Sequence, residues 1–164
     1  MRFILIFLGV LFTTLGLAHP ENLADISRSI GSPDELVQWL SSNLKTSITI
    51  PDEPHTAQEV LNRGGGDCDD LARVASGVLD NLGIENQILA VKFQGTKIKH
   101  ALCIFKNENG SYDLISSKSL FKTGKRTVKE AIEKIYPDTE KIIDYEEMMK
   151  QQFINREYNW ASLR

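Results

Sequence analysis

Gly64-Gly65-Gly66-Asp67-Cys68-Asp69-Asp70-Leu71-Ala72 is the stretch whose reading decides the fold. A run of three glycines does not continue a helix, because glycine loses the most conformational freedom there. The segment after it reads as a good helix. Leu71, Val74, Ala75, Val78, Leu79 and Leu82 recur on one helical face, and Gly83 ends the run. Cys68 therefore stands where a turn becomes a helix N-terminus, and the unsatisfied N–H groups and helix dipole of such a position favour thiolate. His100 opens a later strand, which makes an imidazole available to take the thiol proton.

Upstream, Thr56-Ala57-Gln58-Glu59 forms a capping box for a short helix that carries Val60 and Leu61 and stops at Gly64. Ser32-Pro33-Asp34-Glu35 starts an earlier helix, with Leu36, Trp39, Leu40 and Leu44 on its core face. Residues 48–54, punctuated by Pro51 and Pro54, read as an extended connector. Downstream the period changes to two. Residues 87–93 and 99–105 read as strands, Asn107-Glu108-Asn109-Gly110 as a hairpin turn, and 111–117 as a third strand. A capped helix starts at Thr127 and ends before Pro137, and a last helix is expected from 140 to about 152. The fold class is α+β: a helical N-terminal half packed on a small antiparallel sheet, then C-terminal helices.

The 164 residues, 41% hydrophobic and 25% charged, suit one globular domain. A net charge of −3 without a basic stripe argues against a nucleic-acid partner. Met1-Arg2, an apolar run over 3–17 and the small residues Gly16 and Ala18 before His19-Pro20 read as a signal peptide, 1–18. The run is shorter than the roughly 20 residues of a membrane span. Membrane attachment would require that segment to stay uncleaved. No cysteine follows the run at the cleavage point, so a lipoprotein is not indicated. The expected domain is 19–164, with its core over about 56–120, exported to a periplasmic or extracellular space. No cofactor is expected.

An oxidising destination makes a Cys68–Cys103 disulfide the alternative to a reactive thiol. Strand alternation places His100, Leu102 and Ile104 on one face and Ala101, Cys103 and Phe105 on the other. On that pattern a Cys68–His100 pair and a bridge exclude each other, and a buried free Cys103 is expected. Asp67, Asp69 and Asp70 each oppose thiolate formation. A helix terminus supplies only about 0.3–1 kcal/mol, so His100 as imidazolium is expected to carry most of the activation. The acids read as helix-start electrostatics. Helical spacing is expected to scatter them, so no metal site is assigned.

Gly-Gly-Gly-Asp-Cys-Asp-Asp-Leu-Ala, a helix ending in Leu-Gly-Ile, a strand, and then His100 opening the next strand resemble the transglutaminase-like core, over roughly residues 56–117. Bacterial members of that superfamily include transglutaminase-like cysteine peptidases. The resemblance implies a papain-related fold and a Cys-His-Asp triad in which Cys68 is the nucleophile and His100 the base. It places the third member on the next strand, where Tyr112-Asp113-Leu114-Ile115-Ser116 sets Ser116 at the aspartate position. A four-residue turn at 107–110 pairs 106 with 111 and sets Ser117 opposite His100, within a slip of one or two residues of Ser116–Ser119. Asp113 remains the alternative and requires a turn near Lys106-Asn107. For the oxyanion the candidates are the Cys68 backbone N–H and Asn62, the latter at the spacing of the papain glutamine. The resulting expectation is an exported cysteine hydrolase or acyl-transfer enzyme acting on peptide or isopeptide amides of a peptide or protein substrate. The alternative is a binding module of the same fold that has lost turnover, because Ser116 stands where a carboxylate is usual.

Overall fold

The computed structural model describes residues 22–48, 55–97 and 99–151. The expected signal segment, most of the 48–54 connector and the chain after 151 lie outside the described residues. Asn22 caps α1 (Leu23–Ser29), and Ser32 caps α2 (Pro33–Asn43) with proline in its first turn. β1 (Lys45–Thr46) follows. Both halves of the Thr56–Glu59 capping box open α3 (Ala57–Arg63). Next come β2 (Gly65–Gly66), α4 (Cys68–Asn81), β3 (Asn86–Phe93), β4 (Lys99–Lys106), β5 (Tyr112–Ser116) and β6 (Ser119–Lys125). The described elements close with α5 (Val128–Ile135), β7 (Thr139–Asp144) and a helical segment at 145–151.

Five strands form one antiparallel sheet in the order β6-β5-β4-β3-β7. On one face Cys103, Phe105 and Ile115 pack with Leu71, Val74, Ala75 and Val78 of α4, under α1 to α3. On the other, Leu102, Ile104 and Leu114 pack with Ala131 and Ile132 of α5. Cover on both faces explains why Ala101 to Phe105 form a continuous buried run instead of alternating with solvent. Each fully buried aliphatic side chain in these layers contributes about 1.5–3 kcal/mol before the entropy of ordering is counted.

The α+β class and the capped helices agree with the sequence. Three local readings differ. The chain at 139–144 is a strand, where a helix was expected to open at 140. Ile142 and Ile143 pair with Val91 and Ala90 at the edge of β3, and β-branched residues favour such an edge over a helix. β6 follows a two-residue turn in which Ser117 takes φ 53° and Ser116 pairs with Ser119; serine is not the residue that announces a left-handed turn. In the β4–β5 hairpin Asn107 N–H donates to Ser111 O at 2.8 Å. The loop is therefore Glu108-Asn109-Gly110, closed by Gly110 at φ 73°. This shifts the pairing by one, so Lys106 faces Tyr112 instead of residue 111.

The triple glycine is not a simple loop. Lys45 and Thr46 pair in parallel with Gly65 and Gly66, through Lys45 N–H to Gly64 O (2.8 Å) and Ser47 N–H to Gly66 O (2.9 Å). That small ladder ties the end of α2 to the approach of α4.

Candidate active site

The path into α4 is narrow. A Cβ on Gly65 would stand 2.0 Å from Lys45 O, and one on Gly66 1.9 Å from Asp70 Oδ2. Gly65 also has φ 140°. Only a chain without side chains passes between the first turn of α4 and β1. Asp67 caps α4 in an extended conformation, and Cys68 is its first residue. The Cys68 Sγ accepts a hydrogen bond from Ala101 N–H at 3.5 Å. The sulfur therefore lies against the backbone of the residue that follows His100.

His100 Nε2 lies 2.7 Å from Ser116 Oγ, and Ser116 Oγ lies 2.6 Å from the Tyr136 hydroxyl. The His100 and Tyr136 rings meet edge-on, 5.8 Å between centroids at 62°. Because Nε2 is occupied, Nδ1 is the nitrogen left for a substrate or a thiol. Tyr136, at the C-terminus of α5, is a site residue that sequence reasoning missed. It lies beyond the stretch that carries the motif, and a tyrosine before a proline at a helix end signals only a helix stop.

Burial is the largest influence on Cys68 and pushes its thiol up. The Ala101 N–H and its own backbone counter this in part, while the charges of Asp69 and Asp67 push it further. Burial also lowers the His100 value. Both shifts favour neutral forms, and no hydrogen bond joins the sulfur to the imidazole among the described residues. These directions favour a neutral thiol and a neutral imidazole over the expected imidazolium–thiolate pair, because desolvation penalises either charge.

A pH dependence follows. The folded state holds His100 below the ordinary histidine value of 6.5, so the unfolded chain binds that proton more readily. The stability gained from the neutral ring is complete above the unfolded value and is lost as pH falls through the lower folded value. Wild-type urea midpoints should therefore drop more steeply than those of His100→Gln between about pH 7 and about pH 5. Parallel curves would contradict the burial effect.

Asp113 and Asn62 are engaged elsewhere. Asp113 pairs across from Phe105, toward the opposite end of β4 from His100. Its carboxylate accepts from Thr123 N–H (2.9 Å) and Asn107 Nδ2 (2.8 Å), fastening the register shift between β5 and β6. The hairpin register thus gives Asp113 a structural task. Asn62 is exposed on α3, where its carbonyl oxygen accepts from Gln58 Nε2 at 3.0 Å. Among the described residues it makes no hydrogen bond to the Cys68 turn.

Both cysteines are free thiols. The alternation argument for their separation needs correction, because Ala101 and Cys103 share the α4 face of β4. Position along the helix keeps them apart. Cys68 packs near Ala101 at the start of α4, whereas Cys103 Sγ lies 3.5 Å from Asn86 Oδ1 near its far end. Burial, with the charge of Asp80, drives the Cys103 thiol far upward.

Asp67, Asp69 and Asp70 are not scattered. One carboxylate oxygen from each lies within 4.8 Å of the others. The extended conformation of Asp67 (φ −91°, ψ −160°) turns it back over the first helical turn, which helical spacing did not foresee. Asp70 Oδ1 lies 3.1 Å from His55 Nδ1; its Oδ2 is buried with no hydrogen-bond partner among the described residues. An all-oxygen set with one unsatisfied buried oxygen fits a hard divalent cation. The Tyr145 hydroxyl donates to Asp69 Oδ2. Burial alone would raise Asp69; hydrogen bonding shared with the Asp67 side chain, the Tyr145 hydroxyl and its own backbone N–H, with the charge of Arg73, holds it below its usual range. Tyr145 and Met149, from the helical segment at 145–151, pack with Ala90 and Ala101 against Cys68. The Arg73 guanidinium lies 5.1 Å above the Tyr145 ring.

Comparison with known proteins adds the family. No curated protein matches the chain. Among solved structures, Legionella pneumophila LapG shares 17% identity at TM-score 0.50, with 71% of this chain and 66% of that one covered. Its calcium-bound form gives 18% identity and 0.49 over 76% and 75%. A Cytophaga hutchinsonii protein provisionally described as a cysteine protease gives 13% and 0.48, with 60% of this chain and 37% of that one covered. The chain thus spans 37% of the Cytophaga protein and 66% of LapG. At these identities the likeness is one of fold. A family model described as a transglutaminase-like domain matches residues 27–139, the span that holds the Cys68 turn, His100, Ser116 and Tyr136. The chain belongs to the transglutaminase-like domain family.

Proposed function

We propose that the protein is an exported cysteine hydrolase that cleaves peptide or isopeptide amides through Cys68 and His100. The observation that supports this reading is the Cys68 sulfur at the start of α4, bonded to the backbone N–H of the residue after His100, whose Nε2 is held by Ser116. His100 Nδ1 takes the thiol proton as Sγ attacks the carbonyl carbon. The developing oxyanion lies near the Cys68 backbone N–H, which has no acceptor within the helix. Collapse breaks the C–N bond, and His100 returns the proton to the leaving amine. Water, deprotonated by the same nitrogen, then hydrolyses the thioester and restores the thiol. A second amine in place of water would give acyl transfer; hydrolysis is the outcome assigned. Asp67, Asp69 and Asp70 are the residues that would hold a divalent cation, whose charge would lower the Cys68 thiol. The N-terminal segment 1–18 is assigned to export.

p-Nitrophenyl acetate tests the thiol chemistry without a known substrate. One acetyl group is expected on Cys68 by peptide mass mapping, lost again to water, and absent from His100→Ala at neutral pH. Acetylation confined to lysines would remove the support for an enzyme.

A second reading, a binding module without turnover, is favoured by the neutral Ser116 beside His100 and by the missing sulfur–imidazole hydrogen bond. Ser116→Asp separates the two. An enzyme already turning over should acylate faster in the variant, by less than the about 10⁴-fold that separates aspartate from its amide in a serine protease. Acylation found only in the variant would favour the lapsed module.

A further inference from the structure

Tyr136 has a part to play that rests on the reading of His100 as a base. His100 acts through Nδ1 only if its proton is on Nε2. Nε2–H must then donate to Ser116 Oγ, 2.7 Å away. Ser116 has one hydroxyl proton, and its other neighbour is the Tyr136 hydroxyl at 2.6 Å. The chain can run in two directions. In one, His100 Nε2–H donates to Ser116, and Ser116 O–H donates to Tyr136. In the other, Ser116 O–H donates to Nε2, the ring proton moves to Nδ1, and the nitrogen needed for the thiol is blocked. A serine alone does not choose between them, since a hydroxyl both donates and accepts. A carboxylate would choose, because when ionised it only accepts.

We propose that Tyr136, whose half-buried hydroxyl can direct its own proton to solvent, is a positioning residue that accepts a hydrogen bond from the Ser116 hydroxyl, makes Ser116 an acceptor toward His100 and fixes the Nε2–H tautomer. Ser116 and Tyr136 together then do the orienting work of one carboxylate. The geometry supports this assignment beyond the two distances. Ser116 is buried at 7% exposure, so solvent offers its proton few other acceptors. Tyr136 is held edge-on between Phe93 and His100, with centroids 5.8 Å from each ring, and its backbone N–H is tied to Ile132 O at 2.7 Å. The hydroxyl is therefore presented by a fixed ring. Aligned O–H groups also polarise one another, which strengthens Ser116 as acceptor when the imidazolium forms.

Tyr136→Phe removes the hydroxyl and keeps the ring and its packing. In full-length protein, the ¹⁵N shifts of His100, assigned by their loss in His100→Gln, read the tautomer without turnover. Wild type should show Nε2–H, and Tyr136→Phe should show a mixture with Nδ1–H. Acetylation of Cys68 by p-nitrophenyl acetate should slow about tenfold, the size of one net hydrogen bond. Ser116→Ala should give the same two results. In a Ser116→Asp background Tyr136→Phe should change neither readout, because the carboxylate accepts alone; a purely structural tyrosine would remain costly there. Nδ1–H in wild type, or a Tyr136→Phe variant that keeps the wild-type tautomer, overturns the assignment. Absence of acetylation in wild type would sink the enzyme reading instead, and the tautomer would still decide the role of Tyr136.

Discussion

Alanine at position 68 should abolish acyl transfer from p-nitrophenyl acetate to the site, whereas alanine at 103 should leave it intact. Removing the nucleophile of a serine protease costs about 10⁶ in kcat. Because the resting pair here is neutral, a loss of at least about 10⁴ is expected for Cys68→Ala at neutral pH. Cys103 lies under α4 with none of its surface exposed, so Cys103→Ala should alter stability before chemistry. His100→Ala should behave differently from Cys68→Ala, since raising the pH ionises a raised thiol without help from a base. Its acylation should therefore recover in alkaline buffer while that of Cys68→Ala does not. Stopped-flow release of p-nitrophenol measures all three. Equal rates in wild type and Cys68→Ala would dismiss the sulfur as nucleophile.

Gly65→Ala should be the most damaging small substitution in the described chain. The added Cβ meets backbone, with Lys45 O at 2.0 Å and Lys45 N at 2.6 Å, so no rotamer change relieves it. Overpacking and a forced positive φ together cost about 4 kcal/mol, lowering Tm by about 10–15 °C in a domain of this size. Gly110→Ala is the control. It shares a positive φ, 73°, but nothing lies within 4 Å of its Cβ. Its cost should be about 1 kcal/mol. Thermal melts followed by circular dichroism compare the two, and matching shifts would mean that the ladder between β1 and β2 carries no constraint.

What the sequence disclosed follows from how local each cause was. The helix caps, the apolar face of α4 and the start of that helix at Cys68 are set by residues within a few positions of one another, and they stand as read. The Ser116 position came from a motif register and agrees with the contact to His100, although the loop at 108–110 shifted the ladder by one. β6 escaped because a serine, Ser117, takes the left-handed position of its turn, and β7 escaped because the pull on it is tertiary: Ile142 and Ile143 pair with β3, a partner some fifty residues earlier. Tyr136 and Tyr145 escaped for the same reason, since each reaches the site from an element outside the motif. The charge state of the pair could not be read either. Burial sets it, and burial is a property of the packed molecule.

The helical segment at 145–151 has a consequence for biosynthesis. Tyr145 and Met149 close one wall of the sulfur's compartment, and they belong to the end of the described chain. The ribosome makes the nucleophile turn first and this wall about eighty residues later. A nascent polypeptide therefore carries the thiol through that interval before the compartment around it can close. Emergence of residues 145–151, more than formation of the central helix, marks the moment at which that thiol acquires this part of its surroundings.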